Sequence, residues 1–296
     1  MVTHPDEFRF ETDKEAKEKV PEQLADVEDV MPFVSERGAD APKPTISVTD
    51  GTVLEGRAPD EKRIDLVIER IPSGIPGLDG EIEGGLIRNS VNLVAGSPGA
   101  GKTIFGIQFL VEGTKNGEPA LFISFEEKKE NVYKYMAKFG WDLTELERQK
   151  MFSFIRYSPQ QVYKLLQEGG GTVETLIRTN KVKRIVIDSV TAFTLMYREE
   201  LETREALLQL FELIASWGCT TVVTAEQEAD PEKHRPSVVE FEVDGVILLY
   251  NFRTKQNIRQ RVAEILKMRG TRFPQRIFPM KIEENGVTFY PREVAL

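Results

Sequence analysis

The sequence predicts an α/β fold: a mostly parallel sheet with helices on both faces and antiparallel strands added at the C-terminal edge. Three observations lead there. The apolar run VNLVAG at residues 91–96 passes directly into a glycine-rich loop and then into a helical pattern over 104–116 that Gly117 closes. Strand-like and helical stretches then alternate as far as residue 224, the order that builds a parallel sheet covered on both sides. From residue 246 the helical patterns stop, and four strand-like stretches follow one another at short spacing.

In chain order, residues 1–62 read as an acidic extension and 63–296 as one domain. Residues 1–65 hold 17 Asp and Glu against 9 Lys and Arg, so nearly all of the net charge of −9 lies at the front. Repeated prolines and scattered apolar residues predict disorder there, relieved by helical spacing over 14–30 and a hairpin signal around Asp50-Gly51. Residues 69–90, rich in Gly and Pro, read as a run of turns. Strands are expected over 120–125, 184–188 and 220–224, and helices over 128–139, 172–179 and 203–217. The last helix is the clearest, with Leu207, Leu210, Phe211 and Ile214 on one face, Thr203 as N-cap and Gly218 just past the end. Residues 169–171 read as a flexible loop. The stretches 246–250, 262–267, 278–282 and 287–290, with a tight turn at Asn285-Gly286, read as the antiparallel addition.

Composition narrows the chemistry. The single cysteine, Cys219, excludes an intrachain disulfide and reads as a buried small hydrophobe, and His4 and His234 offer little for a metal centre. No apolar run reaches the length of a membrane span and the first residues form no apolar signal core, so the chain is expected in the cytoplasm with no membrane partner.

The glycine-rich loop is G-x-x-x-x-G-K-T. Gly96, Ser97, Pro98, Gly99, Ala100 and Gly101 form a backbone cradle whose N–H groups can surround an anion, continued by Ile104 at the start of the helix. Lys102 adds a cation for the β and γ phosphates, and Thr103 a hydroxyl for Mg²⁺. ATP and Mg²⁺ are therefore the expected ligands. RIVIDS ends a strand in Asp188, a carboxylate that can hold a Mg²⁺ water or pair with Thr103. LFISFEE ends another in Glu126 and Glu127, placed to orient and deprotonate an attacking water; the competing reading makes them the acidic start of the next helix.

With RIPSGIPGLD, the phosphate loop, SFEE, FGWDL, VIDS, TAEQE, VEFEVDGVILL and KMRGT in that order, residues 69–290 resemble the KaiC-like branch of the RecA-type ATPases. The resemblance implies a RecA-like core that assembles into a ring, usually a hexamer, with ATP at each subunit boundary. It implies a catalytic role for Glu126 and Glu127, and it matches Lys267 and Arg269, with Met268 and Thr271 beside them, to residues that reach the neighbouring subunit's nucleotide. A cation supplied across a boundary would stabilise charge on the transferred phosphoryl and make hydrolysis depend on assembly. The basic stretch 251–276, with eight Lys and Arg against one Glu, also suits a solvated face or a nucleic-acid contact. The chain departs from the family's clock protein in having one ATPase domain instead of two, Phe273 in place of a His, and Lys138 before FGW. The expected function is a slow ATPase ring acting as a nucleotide-dependent switch for an unidentified protein partner. The alternative is a RecA-related DNA-binding recombination or repair ATPase, which the acidic charge disfavours.

Overall fold

The computed structural model describes residues 68–293 except 168 and 170; the acidic extension, with its helical spacing and hairpin signal, lies outside the described residues. In chain order the elements are β1 (Arg70–Ile71), β2 (Leu86–Ile87), β3 (Val91–Gly96), α1 (Lys102–Lys115), β4 (Ala120–Ser124), α2 (Lys129–Met136), α3 (Leu143–Arg148), β5 (Phe152–Arg156), α4 (Pro159–Gln167) and α5 (Gly171–Asn180). There follow β6 (Arg184–Asp188), α6 (Val190–Thr194), α7 (Glu200–Ser216), β7 (Thr220–Glu226), α8 (Val238–Glu242), β8 (Gly245–Arg253), β9 (Arg259–Met268), β10 (Ile277–Glu283) and β11 (Gly286–Phe289).

Nine of these strands form one sheet in the order β11-β10-β9-β8-β3-β7-β6-β4-β5. From β5 to β8 every pair is parallel. From β8 to β11 every pair is antiparallel. The stretch 246–250, expected in the antiparallel addition, is the core of β8: it pairs antiparallel with β9 as expected, but on its other side it lies parallel to β3, with Asn92 facing Gly245 and Gly96 facing Leu249. Its short connection to β9 misled the reading. The connection that matters is the long one before it, which passes through α8 and brings β8 beside β3 in the parallel sense.

Period-two alternation divides the strands between two cores. Val94, Phe122 and Val186 face the layer holding α1 and α2. Leu93, Leu121, Ile123, Ile185 and Ile187 face the layer holding α5 and α7. The turn-like segment 69–90 is also core: β1 pairs with β2, and Ile75, Leu78 and Ile82 between them are at most 2% exposed. Gln108 of α1 ties it to the far strand, donating through Nε2 to Gly74 O (2.8 Å) and Val287 O (3.1 Å).

Helix α7 starts three residues earlier than expected, at Glu200 with Glu199 as N-cap. Thr203 is inside it, and its Oγ1 donates back to Glu199 O (3.0 Å). Gly218, with φ 61°, does follow the C-cap. Gly171 belongs to α5, not to a loop. Cys219 is buried, and burial pushes its thiol up to about 11.

Arg184 opens β6 fully buried, and burial holds its pKa below the usual guanidinium value. Its Nε donates to Glu118 (2.7 Å), its Nη1 to Pro72 O (2.8 Å) and Phe109 O (3.0 Å), and its guanidinium lies over the Phe109 ring. Truncating Glu118 would leave a buried cation without its counter-ion. Glu118→Ala is expected to lower unfolding stability by about 3 kcal/mol, read from denaturant unfolding; a change below about 1 kcal/mol would mean the carbonyls alone satisfy Arg184.

Candidate functional site

Parallel strands bring their carboxyl ends to one rim, the place where open α/β sheets bind ligands. Here β3, β6, β7 and β4 deliver the phosphate loop, Asp188, Glu226 and, just past its end, Glu126. The loop is built from positions that only glycine suits. A Cβ on Gly96 would stand 2.2 Å from Leu249 O, and Gly101, with φ 109°, is the N-cap of α1. The first N–H groups of α1 have no partner within the helix, so they and the helix dipole face the same point as the loop.

Lys102 Nζ donates to Gly96 O (2.7 Å) and Ser97 O (3.3 Å). Burial lowers its pKa, and the charges of Asp188, Glu226 and Glu126 offset part of that. Thr103 Oγ1 donates to Asp188 Oδ2 (2.6 Å), the pairing expected from sequence, and Thr224 Oγ1 donates to the other carboxylate oxygen. Asp188 is thus fixed through both oxygens.

The two adjacent glutamates differ. Glu126 Oε1 accepts from Ser189 Oγ (3.1 Å), the residue after Asp188, and its charge reaches Lys102. Glu127 turns toward Asn131, whose Nδ2 is 3.5 Å from Oε2. Helix α2 starts only at Lys129 with Lys128 as N-cap, so neither glutamate occupies its first turn. Glu226 was missed by sequence reasoning, although it lies in TAEQE at a strand end, the same signal that singled out Asp188. Ser189, Thr224 and Gln227 were missed as well.

Lys267 and Arg269 lie elsewhere. Met268 faces Gly245, which faces Asn92 at the start of β3, whereas the phosphate loop follows Gly96 at its end. At about 3.3 Å per residue this is roughly 13 Å along the strands. Lys267 Nζ donates to Glu240 O (3.0 Å) and Phe241 O (3.2 Å), and Arg269 Nη1 to Asp244 Oδ1 (3.1 Å). They are not on the last strand of the sheet, but β10 pairs with β9 only as far as Glu264, so this end of β9 has no strand paired on that side. Met268 is buried in its own chain's core, so its backbone alone can meet a ligand. Thr271 Oγ1 accepts from Arg70 Nη1 (3.0 Å). Lys138 is exposed, and Phe273 packs on the core.

Of the eight cations over 251–276, five are spent on bonds within the chain: Arg259 to Asn251 O, Arg261 to Gly99 O, Lys267, Arg269, and Arg276 to Pro291 O. A cavity of about 210 Å³ opens beside the loop between Lys102, Thr103, Ile104 and Ile282. Ile282 also borders a groove of about 480 Å³ lined by Arg259, Arg261, Lys281 and Glu283.

The residues fit a Mg²⁺-bound nucleoside triphosphate. Ser97 Oγ and Asn251 Oδ1 are buried beside the loop without a partner among the described residues. Asp188 and Thr103 are hard oxygen donors. Among the described residues no cluster of three or more His, Cys, Asp or Glu could hold a metal. Among those residues no helix is long and apolar enough to cross a membrane.

A family profile described as "ATPase: KaiC" matches residues 71–294. UPF0273 protein PH0284 of Pyrococcus horikoshii is 34% identical over 238 residues, 76% of this chain and 95% of that one. Circadian clock protein KaiC3 of Synechocystis sp. is 35% identical over 233 residues, 76% of this chain but 46% of the clock protein, so the chain spans about half of it. The crystal structure of KaiC-like protein PH0186 from P. horikoshii, 34% identical, superimposes with a TM-score of 0.66 over 76% of this chain and all of that one. Profile, relatives and fold agree on the same region that carries the phosphate loop and its carboxylates. The chain belongs to the KaiC family of ATPases.

Proposed function

We propose that this chain hydrolyses ATP slowly within a ring of identical subunits, a hexamer, and that its nucleotide state is read by a partner protein. The observation that carries the proposal is the separation of Lys267 and Arg269 from their own phosphate loop. They stand at the opposite end of the strands, past the last β9–β10 pair, with Arg269 exposed and Lys267 half-buried against α8. Cations matched to phosphate contacts yet out of reach of their own phosphates can act on those of an adjacent copy.

In this reading, the loop and Lys102 bind the β and γ phosphates, and the groove shared by Ile282 takes the rest of the nucleotide. Mg²⁺, held by Thr103 and Asp188, would neutralise charge on those phosphates. Glu126, oriented by Ser189, accepts the proton of the attacking water, with Glu127 in support. Lys267 and Arg269 of the adjacent subunit stabilise the negative charge on the transferred phosphoryl. Each active site is then complete only at a boundary, which makes turnover a report on assembly and suits a switch.

Light scattering with and without ATP and Mg²⁺ tests the assembly. The expected result is a hexamer mass when both are present. A monomer under all conditions, with ATP hydrolysed at the same rate, would contradict the proposal.

A further inference from the structure

One carbonyl connects the phosphate loop to the residues that hold Lys267. Gly96 O accepts from Lys102 Nζ (2.7 Å) and also from the Gln227 N–H (3.2 Å). The Gln227 side chain then leaves the rim: Nε2 donates to Glu240 Oε1 (3.1 Å) and to Arg235 O (3.0 Å). Glu240 is 5% exposed, and the same oxygen accepts from Ser237 N (3.0 Å) and Oγ (3.1 Å), while Oε2 lies 3.3 Å from His234 Nε2. The main-chain oxygens of Glu240 and Phe241 are the acceptors for Lys267 Nζ.

Helix α8 is five residues long, too short to be stable by itself, so its position depends on these side-chain bonds and on Val239 in the core. A phosphate that draws the Lys102 ammonium toward itself changes the bonding at Gly96 O, and Gln227 is the residue bound there. At the other end, Lys267 must leave the carbonyls of α8 to extend across a boundary. The two events meet at Glu240, the first at its buried carboxylate and the second at its main-chain oxygen.

We propose that Gln227 and Glu240 are positioning residues that couple occupancy of a subunit's own phosphate loop to the presentation of its Lys267 to the next subunit's ATP. This rests on the assignment of Lys267 to the neighbouring site. It adds a direction: nucleotide in one subunit adjusts the cation available to the next, through a contiguous set of bonds inside one chain.

Amide hydrogen exchange on the full chain, with and without Mg²⁺ and a non-hydrolysable ATP analogue, tests it. In the wild type the analogue is expected to change exchange over residues 238–242 by about fivefold or more. Gln227→Leu should bind the analogue within about threefold of wild type and lose that response; Gln227→Met serves where leucine disturbs the strand end. Glu240→Gln keeps an oxygen for Gln227 and Ser237 and should keep the response. Lys267→Ala should keep it too, because the signal enters from the subunit's own loop. A wild type without response, a response that survives both Gln227 variants, or one that vanishes in Lys267→Ala would overturn the coupling. The assignment of Lys267 to the neighbour fails separately, if rings mixed from Lys267→Ala subunits and subunits carrying Glu126→Gln and Glu127→Gln recover no activity while the exchange response is intact.

Discussion

Replacing Glu126 and Glu127 together by Gln is expected to lower ATP turnover by about 10²- to 10⁴-fold while ATP still binds and persists. Glutamine keeps the size and polarity of each side chain and removes the proton acceptor. The two positions should not share the loss equally. Glu126 is oriented by Ser189 and lies near enough for its charge to act on Lys102, whereas Glu127 turns toward Asn131. The single Glu126→Gln should therefore reproduce most of the double variant's effect, and Glu127→Gln should cost about tenfold or less. Steady-state phosphate release measures turnover, and a fluorescent ATP analogue confirms binding. Unchanged turnover in the double variant would place the base elsewhere, with Glu226, whose charge also acts on Lys102, the next carboxylate to test.

Lys102→Ala is expected to weaken ATP binding by about 100-fold or more, the scale of losing charge-assisted hydrogen bonds to phosphate in a partly dry site. Lys102 is half-buried, and its ammonium is bonded to the loop carbonyls of Gly96 and Ser97 rather than to a distant element. Its loss should therefore leave the fold and the melting temperature close to wild type. Isothermal titration with ATP and Mg²⁺ gives the affinity. Undiminished affinity in a folded variant would sink the assignment of the phosphate site.

The phosphate loop, Asp188 and the order of α1, β4, β6, α7 and β7 were legible because each is local. A glycine pattern followed by Lys-Thr, a strand ending in a carboxylate and a long periodic helix carry their signals within a few residues. What could not be read was either short or set by distant partners. Helix α3, capped by Asp142 accepting from Glu145 N, is six residues long, and α6 and α8 are five. Strand β5 is an edge strand with half-buried residues, so its alternation is weak. Ile75, Leu78 and Ile82 are core at helical spacing, but the prolines and glycines between them make the segment read as turns. The parallel placement of β8 depends on which strand receives it, and its neighbour β3 lies about 150 residues earlier in the chain, beyond any local signal. Among site residues, Glu226 carried a strand-end signal that was available and unused. Ser189, Thr224 and Gln227 carried none: their roles arise from what lies opposite them in the folded sheet.

The central claim is that each active site is completed by the next subunit, and subunit mixing tests it most directly. Arg269→Ala subunits keep their own loop and carboxylates, while subunits with Gln at 126 and 127 keep Arg269. Neither parent ring has a boundary that pairs intact carboxylates with an intact arginine, so each should be nearly inactive. Random mixing in equal parts makes roughly a quarter of boundaries complete, and hydrolysis should recover to about that fraction of wild type. Mixed rings of verified composition that show no recovery, together with weaker ATP binding by Arg269→Ala as an isolated monomer, would mean that Arg269 serves its own subunit and would contradict the shared site.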